Sequence, residues 1–494
     1  MSENRLGRAL AAGLGVDLAS AVLLRGIALA TTVLVARVLA PGDYGAVSLA
    51  LAIYGVSDTL TNPSLGTAVI RQKELDDHTI DVAWTLSLLR AALLGLALFC
   101  AAPLLASLWK AGHETASYLR ILSLAPLTGA LGNLHAVRLQ RALRFGRAMM
   151  LDNTRLLAAG ITSLVLLVVT RRADALVIGT VAGNVVYVAL SWGFIAPRPR
   201  LAFSRGKARE LSHVSRWLVA HSILVYLSVT VDNLYVGRTL GLAALGAYAL
   251  AWRIVNTFMT LFTRAIAKML IPTYQTLGGD LAQLRRTVMA ALFPSAAVGA
   301  LASAIVVMGA HDIFFLVSGG GFPGAAPVAV ALIPYVYTRI INNVLAPLYQ
   351  GVGSPRTLAM LSGLNLCLLL PAMWVGNQLG AATGIAAGVS AVSVVVSAVL
   401  IGLVRSRFQL PLSLQLKATL LPVALVTPGA LAARFATGGV TFVPLRLGLG
   451  SIIVAIGFVM AWEVWRRRMP DIPSLVEPLL HAVRQRMKRR AHAG

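Results

Sequence analysis

Charged side chains are scarce in this sequence, and acidic side chains are the scarcest of them. Only 12% of its 494 residues are charged, with 43 Lys or Arg against 18 Asp or Glu. A soluble domain carries about twice that charged fraction. With 57% apolar residues and a mean hydropathy of +0.78, a soluble fold would expose more apolar surface than it could bury. The composition excludes an ordinary soluble domain and predicts that lipid surrounds the chain.

The sequence also lacks the common signatures of catalysis. It contains no nucleotide-binding loop, no metal-ligand spacing and no nucleophile motif, so we expect neither an enzyme nor a bound cofactor or metal. The two cysteines, Cys100 and Cys367, fall inside apolar segments and are interpreted as core residues. We expect no cleavable signal peptide, because the first ten residues are polar and an apolar stretch of spanning length follows directly.

Long apolar stretches are what the sequence has instead. They are about 17 to 25 residues long, as membrane-spanning helices require, and several polar connections between them are only a few residues long. Irregular backbone in lipid cannot satisfy its hydrogen bonds, and the roughly ten-residue alternating strands of a membrane barrel do not occur. We therefore predict an all-α integral membrane protein with about fourteen spans. They lie near 15–38, 44–62, 82–108, 116–137, 149–169, 174–195, 217–237, 242–263, 287–309, 325–349, 357–375, 381–404, 416–433 and 443–464.

The basic residues predict the orientation of these spans. With the N-terminus inside, the inner segments carry 28 Lys or Arg and the outer loops carry 6. This bias indicates that both termini are cytoplasmic. It also explains the net charge of +25, because anionic lipid attracts basic residues to the cytoplasmic face. We therefore do not expect nucleic-acid binding.

A repeat with a period of 201 residues runs through the chain. The segment Val35–Leu39, with Gly45, Ala46, Leu49, Ala50 and Ile53, recurs at Val236–Leu240 with Gly246, Ala247, Leu250, Ala251 and Ile254. Spans 1 and 2 then correspond to spans 7 and 8, and the six-span offset gives both copies the same orientation. The repeat predicts two six-helix halves related by an axis along the membrane normal, a plan that many transporters use.

Two motifs in these copies resemble a known family. The pattern R-x-L-x-P-x-D-[YF]-G occupies Arg37–Gly45, and D-N-L-x-[VI]-G-R-x-L-G occupies Asp232–Gly241. Together they resemble the polysaccharide transporter branch, with its Wzx-type flippases, of the multidrug/oligosaccharidyl-lipid/polysaccharide exporter superfamily. Beyond span 10 the resemblance is mostly in hydropathy.

The resemblance implies a V-shaped fold of two six-helix lobes plus two C-terminal helices. On this basis residues 1–212 form the N-terminal lobe, 213–410 the C-terminal lobe, 411–465 spans 13 and 14, and 466–494 a basic cytoplasmic tail. It also implies that the protein moves an undecaprenyl-pyrophosphate-linked oligosaccharide from the inner to the outer leaflet of the bacterial inner membrane. The implied partners are that glycan, membrane lipids, polysaccharide polymerase and glycosyltransferases.

Ionisable and polar residues inside spans are the candidate site, because such residues are costly in lipid and usually face a water-filled cavity or a partner. Helical spacing places several of them on common faces, and Arg presents a fixed fork of donors that suits a pyrophosphate. The candidates for substrate binding in a central cavity are Arg25, Arg90, Arg253, Arg264, Arg339, Asn256, Asn342, Asn343 and Tyr335. The candidates for ion coupling or gating are Asp58, Asp232 and His221.

Each candidate also has a structural interpretation. A buried Arg can pair with a carboxylate such as Asp58 or Asp232 and only hold helices together, and His221 can be a polar packing residue. Arg37 and Arg238 end their spans on the outer side and are expected to reach towards the interface. The tail after Trp465 is either an amphipathic membrane-surface segment or a passive orientation signal.

Two other functions are compatible with the sequence. One is an ion-coupled antiporter of drugs or small metabolites with the same fold, although a cavity for cationic drugs would contain carboxylates and aromatics rather than arginines. The other is a membrane enzyme of polysaccharide assembly, which usually has a long outer loop or a cluster of loop carboxylates. The outer loops here are short and acidic residues are sparse. The flippase is therefore the favoured hypothesis.

The predicted orientation can be tested with reporter fusions. Fusions at Arg144 and Arg205 are expected to report a cytoplasmic location, and a fusion near Gly320 a periplasmic one. Green fluorescent protein fluorescence reports a cytoplasmic fusion site, and alkaline phosphatase activity reports a periplasmic one. The opposite pattern at these positions would show that the charge bias does not set the orientation.

Overall fold

The computed structural model of the chain describes residues 23–61, 69, 76–141, 145–278, 280–437, 440 and 442–468. In these ranges every regular element is a helix. The chain divides into two compact units, Met1–Ala249 and Leu250–Gly494, which are described separately. The predicted lobe boundaries at 212 and 410 stay predictions.

The first unit is built from apolar helices joined by short connections. In order they are α1 (23–38), α2 (Pro41–Thr61), α3 (Asp77–Leu108), α4 (His113–Leu122), α5 (Leu124–Ala130), α6 (Val137–Arg141), α7 (Phe145–Thr170), α8 (Asp174–Phe194) and α9 (Arg205–Thr239). The next helix, α10 (Leu242–Thr276), begins in this unit, and its residues from Leu250 onward belong to the second.

The second unit continues with further helices around a large apolar core and a smaller one. They are α11 (Leu281–Ser318), α12 (Ala325–Ala331), α13 (Ile333–Gly351), α14 (Pro355–Phe408), α15 (Leu412–Thr437) and α16 (Val443–Arg468). The large core contains fully buried side chains such as Tyr274, Leu284 and Leu345. At the end of α11 that is predicted to face outward, Arg446 of α16 forms an ion pair with Asp312 and joins the last helix to α11.

Each of the fourteen predicted apolar stretches overlaps one or more of these helices. Among the described residues, length and hydropathy select seven helices able to cross a membrane, or eight if the bent pair α12 and α13 counts as one span. The prediction of an all-α membrane protein is confirmed, whereas the number fourteen stays a prediction.

The 54-residue helix α14 is in fact two helices joined at a tight turn. The backbone leaves helical geometry at Gly380 and at Ala381, whose φ is 46° and ψ is −129°. The two arms pack closely on either side of the turn. A Cβ added at Gly376 would lie only 2.2 Å from the carbonyl oxygen of Gly384. The arms coincide with the predicted spans 357–375 and 381–404.

Between α5 and α6 the chain leaves α-helical geometry at residues 131–133 and then forms a 3-10 helix at Leu134–Ala136, and side chains from other helices bond the polar groups of this break. The indole nitrogen of Trp84 donates to the Gly132 carbonyl at 3.1 Å, and that of Trp192 donates to the Leu131 carbonyl at 2.7 Å. Asn133, which is fully buried, donates to the carbonyl of Ile195 at 3.0 Å. A break in a span is tolerated when protein groups replace the lost helical hydrogen bonds in this way.

Acidic residues at the start of α3 hold the connection that leads into α9. Asp76 caps α3 by accepting from the Thr79 amide at 3.3 Å, and its carboxylate forms an ion pair with Lys207. The hydrogen bond from Lys207 is the main reason that the pKa of Asp76 is lowered to about 2. Asp81 accepts from the Arg200 amide at 3.1 Å, so one carboxylate holds the connection between α8 and α9 and the other holds the first turn of α9.

The helix boundaries repeat with the period of the sequence repeat. The first helix of the first copy ends at residue 38, and the next begins at Pro41. In the second copy the corresponding helices end at Thr239 and begin at Leu242, each 201 residues later. The two copies therefore share the position of their interhelical break as well as their sequence pattern.

The strained turn in α14 yields a test of stability. Ala381 has a positive φ that favours glycine, so Ala381→Gly is expected to stabilise the protein by about 1 kcal/mol. The neighbouring substitution Ala382→Gly lies within the following helical arm and should destabilise it by about 0.5–1 kcal/mol. Thermal unfolding in detergent measures both, and effects of the same sign would contradict this account of the turn.

Candidate functional site

Helix α13 carries the predicted polar face of span 10. Tyr335, Arg339, Asn342 and Asn343 are all half-buried on this helix. The guanidinium carbon of Arg339 lies 5.9 Å from the centroid of the Tyr335 ring, one helical turn away. A cation at this distance over an aromatic face is attracted by the ring quadrupole. The i, i+4 spacing therefore places the Arg339 charge against an aromatic surface within the span.

A ladder of serines joins α12 and α13 to the second arm of α14. Ser397 donates to the side-chain oxygen of Asn342 at 2.6 Å, and Ser393 lies 2.6 Å from the hydroxyl of Thr338. Ser390 donates to the Ala331 carbonyl at 2.6 Å. The oxygen of Asn342 is thus already used between helices. Sequence reasoning missed these serines, although their spacing of three and four residues inside an apolar run was the available signal.

Helix α10 carries the predicted polar face of span 8, in which Arg253 and Asn256 are half-buried. Thr257, on the same face, donates its hydroxyl to the Arg253 carbonyl at 2.7 Å and so bonds its own helix. Arg264 lies in α10, but its side chain is outside the described residues. Arg253 and Asn256 therefore remain the described candidates on this helix.

In the first unit the candidate arginines lie on α1 and α3. Arg25 and Arg90 are both half-buried on these helices. Asp58, on α2, accepts a hydrogen bond from the hydroxyl of Tyr54 at 3.2 Å, one turn earlier on the same helix. The carboxylate of Asp58 is thus held partly by a neutral donor within its own span.

Asp232 on α9 is the most deeply buried of the candidate acids, with 4% of its surface exposed. The hydroxyl of Tyr248, on α10, donates to its Oδ2 at 2.9 Å. The backbone amide of Asn233 donates to its Oδ1 at 2.8 Å. Both carboxylate oxygens therefore accept from neutral donors, which ties α9 to the first turns of α10. The side chain of His221, on the same helix, lies outside the described residues.

The candidates divide between the two units. Arg25, Arg90, Asp58 and Asp232 belong to the first, whereas Arg253, Asn256 and the α13 residues belong to the second. A shared central cavity and the role of each candidate in it stay predictions. Among the described residues no group of three or more His, Cys, Asp or Glu side chains is placed to hold a metal ion. The chemistry that this set offers is recognition of anionic and hydroxyl groups by arginine and amide donors.

Comparison with known proteins identifies the family. The family described as "Polysaccharide biosynthesis protein" matches residues 34–317, which is more than half of the chain. The chain belongs to this family. The resemblance inferred from the two motifs is confirmed.

Relatives and solved structures agree with this membership. The lipopolysaccharide biosynthesis protein WzxC of Escherichia coli strain K12 is 22% identical over 76% of this chain and 76% of its own length. The succinoglycan biosynthesis transport protein ExoT of Rhizobium meliloti strain 1021 is 24% identical over 50% of each chain. The lipid II flippase MurJ in its inward closed conformation has a TM-score of 0.75 at 12% identity, covering 92% of this chain and 99% of that one. The likeness to MurJ shows the fold alone.

The bond between Asp232 and Tyr248 can be tested in this family member. Tyr248→Phe removes one donor to a buried carboxylate, so the free energy of unfolding should fall by about 1–3 kcal/mol. The control Tyr235→Phe removes a hydroxyl from a half-exposed position on α9 and should have little effect. Thermal unfolding in detergent gives both values. Equal stability of the two variants would mean that Tyr248 does not stabilise Asp232.

Proposed function

We propose that this protein is a flippase for lipid-linked glycans. It translocates undecaprenyl-pyrophosphate-linked oligosaccharide repeat units from the inner to the outer leaflet, for exopolysaccharide, capsule or O-antigen synthesis. The observation that carries the proposal is membership of the polysaccharide biosynthesis family over residues 34–317. The names of the relatives add support, since WzxC is called a lipopolysaccharide biosynthesis protein and ExoT a transport protein.

The arginines within the spans supply the chemistry of the proposal. Arg253 and Arg339 lie half-buried on the polar faces of α10 and α13. A pyrophosphate presents negative charge and many acceptors, which a guanidinium binds through two parallel hydrogen bonds. The pyrophosphate is common to all these lipids, so arginine recognises the shared head group. Neutral groups such as Asn342, Asn343 and Tyr335 would then contact the sugar, which differs between substrates.

Alternating access is the proposed mechanism. The two halves that the repeat predicts would expose a fixed head-group site first to one side of the membrane and then to the other. The polyprenyl tail would stay in lipid throughout. The sequence has no nucleotide-binding loop, so a coupled ion or a downhill substrate gradient would drive the cycle, with Asp58, Asp232 and His221 as candidates for coupling. Both termini would lie in the cytoplasm, beside the glycosyltransferases that supply the substrate.

Substitution of the two arginines tests head-group recognition. Arg253→Lys keeps the charge but loses the fork of donors, so export of lipid-linked oligosaccharide should fall about tenfold or more, because a charge-assisted hydrogen bond contributes roughly 1.5–3 kcal/mol. Export by the double variant Arg253→Ala, Arg339→Ala should fall further. Export is measured in cells at matched protein levels.

A matched control separates recognition from general loss of positive charge. Arg434→Ala removes the charge of an exposed arginine at the end of α15 and should leave export unchanged. Wild-type export by the Arg253→Ala, Arg339→Ala double variant would show that these arginines do not bind the head group.

A further inference from the structure

The two copies of the repeat meet at equivalent glycines. A Cβ at Gly45, on α2, would lie 1.8 Å from the carbonyl oxygen of Leu242, and a Cβ at Gly246, on α10, would lie 1.9 Å from the carbonyl oxygen of Pro41. Each Cβ would also lie 3.1 Å from the backbone nitrogen of the other glycine. Pro41 corresponds to Leu242 and Gly45 to Gly246 at the same 201-residue offset. The crossing is therefore symmetric, and only glycine on both helices permits it.

The contact continues from this crossing along α2 and α9. A Cβ at Gly237 would lie 3.6 Å from the Cδ1 atom of Leu49. Further along, the hydroxyl of Tyr226 donates to the Ala52 carbonyl at 2.9 Å, and a Cβ at Gly55 would lie 2.0 Å from that hydroxyl oxygen. Between positions 45 and 55 a helix rises about 15 Å, roughly half the hydrocarbon thickness of a bilayer. This contact between the repeat copies is called the α2 seam below.

The orientation places the crossing at one membrane surface. The charge bias predicts that α2 begins and α9 ends on the outer side, so the glycine crossing lies outermost in the α2 seam and Tyr226 lies deeper. When the α2 seam is closed, it holds the two copies of the repeat together on the outer side. In alternating access the copies must separate on the outer side at one stage, so that the head group can leave.

We infer that Gly45 and Gly246 form the outer seal of the translocation route, a backbone contact that closes the α2 seam and opens once in each transport cycle. This inference rests on the proposed function and on the predicted orientation. The crossing is a contact between helix backbones whose own hydrogen bonds are already made within each helix. Opening at the crossing therefore breaks only van der Waals contacts. Opening the rest of the α2 seam also breaks the hydrogen bond from Tyr226 to the Ala52 carbonyl, but neither step exposes an unpaired charge.

The first experiment forces the seal open and measures access from outside. In a background with Cys100→Ala and Cys367→Ala, the buried residue Leu49 is replaced by cysteine and treated with a membrane-impermeant maleimide from the outer side. Labelling should be low in this variant and about tenfold higher when Gly45→Leu or Gly246→Leu is added, because overpacking at a close crossing shifts the equilibrium towards the open state.

A glycine on the same helix supplies the matched control. A Cβ at Gly42 would meet nothing within 4 Å, so Gly42→Leu should leave the labelling of Leu49→Cys low. Equal labelling with and without the changes at Gly45 and Gly246 would overturn the inference. Labelling only from the cytoplasmic side would do so as well, since the seam would then not face outward.

The second experiment holds the seam closed and leaves both glycines of the seal in place. Leu49→Cys and Gly237→Cys in the same cysteine-free background are joined by a short, reducible bifunctional methanethiosulfonate. Transport should fall about tenfold or more on cross-linking and return on reduction, while each single-cysteine variant keeps its transport after the same treatment. Full transport by the cross-linked protein would show a permanent contact rather than a seal, and failure to cross-link would show that the seam is not closed.

The two experiments separate this inference from the proposed substrate. Labelling and cross-linking yields need no substrate, so they report the seal even if the transported molecule is not a lipid-linked glycan. A seal that opens and closes without export of lipid-linked oligosaccharide would refute the proposed function alone. Normal export without opening of the α2 seam would refute the seal alone.

Discussion

The structure depends first on the need to satisfy every backbone polar group away from water. Helices meet this need internally, and where a helix is interrupted, neighbouring groups take over its hydrogen bonds. Trp84 and Trp192 bind the carbonyls exposed by the break after α5. The turn at Ala381 and the paired breaks before Pro41 and Leu242 interrupt the helices over only two residues each, which limits the number of unpaired groups. Irregular backbone at these places is thus either short, as at Ala381, or bonded by neighbouring side chains, as after α5.

The same constraint governs how the helices are joined to one another. Removing a charge from water costs several kcal/mol unless a partner compensates, whereas neutral hydrogen bonds need less compensation. Within the spans, two contacts between helices are made by neutral donors: that of Tyr248 to Asp232 and that of Ser397, on α14, to Asn342, on α13. Ion pairs such as Asp312 with Arg446 and Asp76 with Lys207 lie at helix ends. Arginine within a span is therefore an expensive choice, which supports a role in binding an anionic ligand.

Much of the fold could be predicted because its signals are local in the sequence. Apolar length predicted the positions of the helices, including both arms of α14, and the 201-residue offset predicted the shared break after residues 38 and 239. The partners of the site residues were not predictable, because they come from segments distant in sequence. Ser397 reaches Asn342 across 55 residues, and Trp109 reaches the Leu234 carbonyl across 125. Pairing of Asp232 with arginine stays a prediction, and the donors that the structure shows for its carboxylate are the Tyr248 hydroxyl and the Asn233 amide.

A seal made by glycine backbones suits the proposed transport cycle, in which a coupled ion or a substrate gradient supplies the driving force. A seal of ion pairs would leave two charges unpaired each time it opened, at a cost of several kcal/mol. A seal of interlocked large side chains would need many contacts to break at once. At Gly45 and Gly246 the helices touch over a small area, and their polar groups remain bonded within each helix when they part. The closed and open states can then lie within a few kcal/mol, the range in which a bound substrate or a coupled ion shifts the population.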